Sequence, residues 1–140
     1  MSFTASARPV GGTLRHEIDV NGRHTITTDE PERLGGFDSA PAPHELLPAM
    51  LAACVSTMIV LYARNHDWEM DVARVRVDVD YDTQVTPRQI AVRVHLPDGL
   101  SEDQLRRLRR VADSCPVRRA LEAGFHFEEE LVRDAPAVAA

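Results

Sequence analysis

Cysteine is scarce in this chain of 140 residues, which contains only Cys54 and Cys115. The two lie too far apart in sequence for a Cys-x-x-Cys motif, and the six histidines show neither a His-x-x-x-His spacing nor carboxylates at ligand spacing. These patterns disfavour a metal site, so we predict neither a metal nor another cofactor. If the fold joins the two cysteines, they form a dithiol that can close to a disulfide and reopen.

An excess of basic residues and a leader sequence are also lacking. The formal net charge is −6 at pH 7, and acidic residues surround the arginines between positions 106 and 110, which argues against a nucleic-acid partner. Residues 1–6 have neither the basic nor the apolar region of a secretory signal, so we expect a cytoplasmic protein. In that compartment a cysteine pair is more often catalytic, redox-sensing or simply buried than structural.

Internal repeats, low-complexity blocks and linkers are absent from the sequence, and its length predicts one domain over residues 1–140 with a loose tail at 134–140. One uncharged run, residues 46–63, has the length of a membrane span. Pro48 and Ser56-Thr57 interrupt it and polar residues flank it, so we interpret it as a buried helix and expect no membrane partner. Because it is too apolar on all sides for one sheet to cover, it predicts an obligate homodimer.

The remaining patterns predict an α+β arrangement in the order β-β-α-β-β-α-α-β. Asn21-Gly22 is typical of a hairpin turn, Ser101 and Gln104 form a capping box ahead of a helix, and Pro116 opens a short helix. Phe125 and Phe127 are expected to start a last strand. Apolar and polar residues alternate, as in half-buried strands, at 14–20, 24–28, 75–81 and 90–96.

The two cysteines differ in their local setting. Cys54 lies mid-helix on an apolar stripe, where burial raises the pKa of a thiol and leaves it inert. Cys115 stands at a helix N-terminus, where backbone donors and the helix dipole favour a thiolate, with Arg118 and Arg119 nearby. From the residues alone Cys115 is the better nucleophile, while a small buried hydrophobe is an equally good interpretation of either cysteine.

Both cysteine motifs resemble those of the OsmC/Ohr family, and the resemblance extends from the first hairpin to the last predicted strand. The branch it resembles most is the general OsmC-like one, rather than the organic hydroperoxide resistance proteins proper. The motifs that carry the resemblance are Thr28-Asp29-Glu30-Pro31, Gly35-Gly36, Ala40-Pro41-Ala42-Pro43-His44-Glu45-Leu46-Leu47, Ala52-Ala53-Cys54 and Ala112-Asp113-Ser114-Cys115-Pro116-Val117.

The resemblance implies antiparallel sheets around a long buried central helix, in an intertwined homodimer. It also implies thiol peroxidase chemistry on organic hydroperoxides, with hydrogen peroxide a poorer substrate. Cys54 would be the peroxidatic cysteine and become a sulfenic acid, and Cys115 would resolve it as a Cys54–Cys115 disulfide. An external dithiol, which the resemblance suggests belongs to a lipoylated protein, would then reduce the disulfide.

Family members activate the peroxidatic cysteine with an arginine and a glutamate, and here the sequence departs from the pattern. In the hydroperoxide resistance branch an arginine directly follows a Gly-Gly pair near the N-terminus. Here Thr13 follows Gly11-Gly12 instead, so Arg15 is our candidate, with Arg8 and Arg23 as rivals. The glutamate position falls on His44, with our candidate Glu45 one place later. An alternative therefore stays open, a slow-turnover redox sensor or stress-associated dimer with reactive thiols.

Overall fold

The computed structural model describes residues 1–133, so the predicted tail at 134–140 lies outside the described residues. Antiparallel strands and three helices form the predicted α+β fold, and short 3-10 helices lie at Glu32–Leu34 and Val72–Arg74. In chain order the elements are β1 (Ala5–Pro9), β2 (His16–Val20), β3 (His24–Thr28), α1 (Pro43–Asn65), β4 (Arg76–Asp82), β5 (Gln89–His95), α2 (Glu102–Asp113) and α3 (Pro116–Ala123).

The N-terminal sheet is an antiparallel meander in the order β1-β2-β3. The predicted turn is confirmed, with Asn21 and Gly22 both at positive φ, although Val20 pairs with His24, which makes the loop three residues long. Strand β1 was not predicted, because every one of its residues is exposed and no apolar alternation marks it. Its Pro9 is tolerated because β1 is an edge strand.

Helix α1 begins earlier than the apolar run suggested. Pro43 occupies its first position, and Glu45 Oε2 accepts a 2.8 Å hydrogen bond from the Ala42 N–H, which caps the helix. Pro48, which interrupts the apolar run, lies inside the helix. Pro48 is the sixth residue of the helix, so the helix forgoes one intrahelical hydrogen bond, to the His44 carbonyl.

One face of α1 forms the core, and the opposite face is left uncovered. The helix packs against β4, β5, α2 and α3, and its buried residues are Leu51, Val55, Ile59 and Ala63. The exposed residues of the opposite face, which we call the exposed stripe, are Met50, Ala53, Thr57 and Leu61. By length and composition α1 could cross a membrane, and only 22% of its most apolar window is buried. A single chain therefore does not bury the helix.

The second half of the chain follows the predictions closely up to α3. Strands β4 and β5 pair as an antiparallel hairpin, with the alternating burial expected of β4. The capping box is confirmed, since Ser101 Oγ accepts from the Gln104 N–H at 3.1 Å and Gln104 Oε1 accepts from the Ser101 N–H at 2.9 Å. Leu108 then anchors α2 in the core beside α1.

The predicted last strand is wrong. Residues 124–133 have no regular structure, and Phe125 and Phe127 are 63% and 78% exposed. Their aromatic alternation favours a strand, but a strand needs a neighbour to take its backbone hydrogen bonds. Within residues 1–133 this segment pairs with no strand of either sheet.

Candidate active site

The fold brings the two cysteines together. Cys54 lies on α1, partly exposed, and Cys115 is fully buried as the N-cap residue of α3. Cys54 packs against the buried cluster that contains Cys115, close enough for the Cys115 thiol to raise the pKa of Cys54, and both thiols are free. Because α1 packs against both α2 and α3, the elbow between those two helices holds Cys115 against the middle of α1.

The N-terminus of α3 serves Cys54 rather than Cys115. The backbone N–H of Val117, in the first turn of α3, lowers the pKa of the Cys54 thiol. The side chain of Cys115 makes no capping hydrogen bond of this kind. From the sequence we predicted that this helix N-terminus favours a thiolate at Cys115. The packing of α3 against α1, which turns the helix end toward Cys54, cannot be deduced from a local pattern. The free N–H groups of a first turn serve whichever acceptor lies beyond the helix end.

The surroundings of Cys54 nevertheless keep it protonated. Burial raises the pKa of the Cys54 thiol, and the neighbouring Cys115 thiol raises it further, against the lowering effect of the Val117 N–H. Among residues 1–133, no arginine contributes to the pKa of this thiol. The chain on its own therefore supplies a pair of neighbouring thiols, but not the cation that a reactive thiolate needs.

Arg15, our candidate activator, lies beside the N-terminal sheet. Its guanidinium donates a hydrogen bond to the hydroxyl of Ser39 at 2.5 Å. That hydroxyl donates in turn to Asp29 Oδ2 at 2.6 Å. Within a single chain Arg15 therefore binds the loop that follows β3 and does not act on the Cys54 thiol of α1.

Asp29 organises this loop, and sequence reasoning did not single it out. It is fully buried and also accepts hydrogen bonds from the backbone N–H groups of Glu30, Phe37 and Ser39. The Ser39 hydroxyl, followed by these backbone donors, lowers the pKa of Asp29 to about 2. The loop also closes tightly at Gly36, where a Cβ would come within 1.8 Å of the Glu30 carbonyl oxygen. The only signal for this role was the Thr28-Asp29-Glu30-Pro31 motif.

Glu45 and His44 lie at the start of α1, whereas Cys54 lies in its middle. The carboxylate of Glu45 caps the helix, roughly 13 Å along the axis from Cys54 at 1.5 Å per residue. The ring of His44 packs edge-on against Tyr81 with 5.7 Å between ring centroids. Neither side chain is therefore joined to the thiol pair within one chain.

Comparison with known proteins places this arrangement in a family. The model of the family described as OsmC-like protein matches residues 36–130, which include both cysteines. The chain belongs to the OsmC-like protein family. Among curated proteins, none matches it significantly.

Solved structures of the same fold include a stress protein and two OsmC relatives. An osmotic stress induced and detoxification response protein from Psychrobacter arcticus is 24% identical, with a TM-score of 0.67 over 85% of this chain and 87% of its own. An organic hydroperoxide resistance protein OsmC from Legionella pneumophila is 23% identical, with a TM-score of 0.62 over 86% and 89%. An OsmC-like protein from Mycoplasma pneumoniae is 18% identical, with a TM-score of 0.64 over 87% and 88%. These likenesses confirm the fold.

A cavity of this OsmC-like chain lies near the thiol pair but does not contain it. It has a volume of 860 Å³ between α1, β5, α2 and α3, and neither cysteine lines it. Its walls are mostly aliphatic, and Arg118 and Glu122 stand at the end formed by α3. Within residues 1–133, no three His, Cys, Asp or Glu side chains come together to hold a metal ion. The thiols are thus the chemical groups of the site.

Proposed function

We propose that this OsmC-like protein is a thiol-dependent peroxidase that reduces organic hydroperoxides in the cytoplasm. The observation that carries the proposal is the packing of Cys54 against the buried cluster that contains Cys115, although the two thiols are remote in sequence. A partly exposed thiol backed by a fully buried one is the arrangement that a peroxidatic and a resolving cysteine require.

The reaction proceeds in three balanced steps. The Cys54 thiolate attacks one oxygen of the O–O bond, which breaks to give the Cys54 sulfenic acid and an alkoxide that takes up a proton to leave as the alcohol. Cys115 then attacks the sulfenic sulfur, and the S–O bond breaks to release water and leave the Cys54–Cys115 disulfide. An external dithiol, such as that of a lipoylated protein, reduces the disulfide by thiol exchange and is itself oxidised.

The active unit is a homodimer, in which the partner completes the site. The exposed stripe of α1 leaves Met50 and Leu61 each 46% exposed, and the N-terminal sheet makes its main packing contacts within itself. A second copy that covers the stripe would exclude water from Cys54 and would also carry an arginine to it. Arg15 is our candidate for that arginine, and Glu45 our candidate to orient it.

The surroundings of Cys54 suit an alkyl tail. One turn to either side of it on α1 lie Met50, Leu51 and Met58, all apolar. An organic hydroperoxide can bury its hydrocarbon part against these side chains, and each buried CH₂ contributes roughly 0.8 kcal/mol. Hydrogen peroxide has no such part, so we expect it to be the poorer substrate.

Substitution of each thiol tests the proposed function. With cumene hydroperoxide and dihydrolipoamide, Cys54→Ser should abolish turnover, because no sulfenic acid can form. Cys115→Ser should stop turnover after one oxidation per chain, because Cys54 is oxidised but not resolved. Mass spectrometry of the Cys115→Ser product should show one added oxygen. Full turnover by Cys54→Ser would exclude the mechanism.

A second candidate function is a redox sensor that turns over slowly, and the raised pKa of Cys54 favours it. The discriminating measurement is the rate of Cys54 oxidation against pH in Arg15→Ala. If Arg15 activates the thiol, the profile moves to higher pH, and the rate at pH 7 falls about tenfold or more, since a guanidinium in contact lowers a neighbouring pKa by one to three units. Arg8→Ala and Arg23→Ala test the two rival arginines in the same way. Unchanged profiles in all three variants would favour the sensor.

A further inference from the structure

We infer that Arg118 is a positioning residue for the thiol pair, which it acts on through the elbow between α2 and α3. The guanidinium makes two ion pairs. Its Nη1 lies 2.6 Å from Asp113 Oδ1, and its Nε lies 3.0 Å from Glu122 Oε1. Asp113 is the last residue of α2, whereas Arg118 and Glu122 belong to α3. One side chain therefore ties the two helices together across the buried Cys115.

The segment enclosed by this tie contains two groups that act on Cys54. Cys54 and Val117 both pack against the buried cluster that contains Cys115, and the Cys115 thiol and the Val117 N–H both act on the pKa of Cys54. At the α2 end, the Ser114 hydroxyl donates a 2.8 Å hydrogen bond to the Val111 carbonyl, which continues the last turn of the helix. With α2 anchored by Leu108 in the core, the bond from Asp113 to Arg118 fixes the direction in which α3 leaves the elbow.

Formation of the disulfide depends on this direction. The two sulfur atoms must approach to about 2.05 Å with a narrow range of torsion angles, and a rate gain from proximity requires the reacting atoms to be held near that geometry beforehand. Arg119, the next residue, is exposed and enters no ion pair with another residue of 1–133. It offers a control with the same charge on the same helix.

The relevance of Arg118 to turnover rests on the proposed function, but its effect on the thiols can be measured without a peroxide. Ellman's reagent reacts first with the partly exposed Cys54, which forms a mixed disulfide and releases one thionitrobenzoate. Cys115 then attacks the Cys54 sulfur, and the second thionitrobenzoate leaves as the Cys54–Cys115 bond forms. The rate of this second release measures closure, and Cys115→Ser should show the first release alone.

Removal of the tie should slow closure selectively. In Arg118→Ala and in Asp113→Asn, the rate constant of the second release should fall about three- to tenfold. The fall is expected because the ion pairs hold the reacting Cys115 in place, and it is modest because exposed ion pairs are individually weak. Arg118→Lys, which cannot bridge both carboxylates, should give an intermediate rate, and Arg119→Ala the wild-type rate. A purely structural role would lower the melting temperature without changing the ratio of the two phases.

Two results would overturn the inference. One is an unchanged second phase in Arg118→Ala and Asp113→Asn, and the other is an equal slowing in Arg119→Ala. If Arg118→Ala does not fold, Asp113→Asn decides, because it removes one ion pair and keeps the arginine. A wild-type chain that closes its disulfide with Ellman's reagent but consumes no hydroperoxide would refute the proposed function and leave the role of Arg118 intact.

Discussion

Asp29 shows how one buried carboxylate organises a loop that carries no regular structure. Four hydrogen bonds converge on it from Glu30, Phe37 and Ser39, and its own backbone N–H donates to the Pro41 carbonyl at 3.1 Å. The Ser39 hydroxyl that it holds is the partner of Arg15. The charge of Asp29 therefore stabilises the loop and, through it, the position of our candidate activating arginine.

The lowered pKa of Asp29 predicts a pH dependence of stability. Its folded-state pKa of about 2 lies below the roughly 3.9 expected for an unfolded aspartate. Its contribution is thus fully present above about pH 4 and is lost as the pH falls through about 2. We expect Asp29→Asn to be less stable than wild type at pH 7, by a margin that shrinks between pH 4 and pH 2. Melting temperatures measured from pH 6 to pH 2 would show this convergence.

A second variant in the same loop controls for acid unfolding in general. Asp38 is exposed, and its carboxylate accepts no side-chain hydrogen bond from residues 1–133. Asp38→Asn makes the same change of charge and shape, so its melting temperatures should run parallel to those of wild type. If Asp29→Asn also ran parallel, the carboxylate of Asp29 would contribute nothing specific to the loop.

At the scale of elements, the sequence predicted those whose signals are local. The capping box at Ser101, the turn at Asn21 and the helix start at Pro116 were all recovered, because each depends on residues within one turn of the chain. The predictions that failed concern strands. Strand β1 carries no alternation, and the segment at Phe125 alternates but pairs with no strand among residues 1–133.

The candidate site was predictable in its residues and not in its geometry. The motifs identified Cys54 and Cys115, but which thiol the N–H of Val117 acts on depends on how α3 packs against α1. The same applies to Arg118, whose ion pair with Asp113 spans two helices and leaves no periodic signal. Long-range packing of this kind is set by the whole core, so no local window of sequence contains it.

At the scale of the molecule, one apolar face of α1 remains exposed to solvent in a single chain, and a stable fold needs a partner to cover it. A helix with a mean hydropathy of 2.1 over its most apolar window leaves most of that window unburied, and exposed apolar patches of this extent mark interaction surfaces. A second copy can cover the stripe with the same stripe, because a two-fold axis matches a surface to itself.

The homodimer is testable by one charge placed on the exposed stripe. Leu61 is 46% exposed within the chain but would be buried in the dimer, where an unpaired carboxylate is costly. Leu61→Glu should therefore sediment as a monomer at micromolar concentration, where wild type sediments as a dimer. Ala120→Glu, at an exposed position of α3, should stay dimeric. If the partner supplies the activating arginine, Leu61→Glu should also react more slowly with hydroperoxide at pH 7. A monomeric wild type, or a dimeric Leu61→Glu, would contradict this assembly.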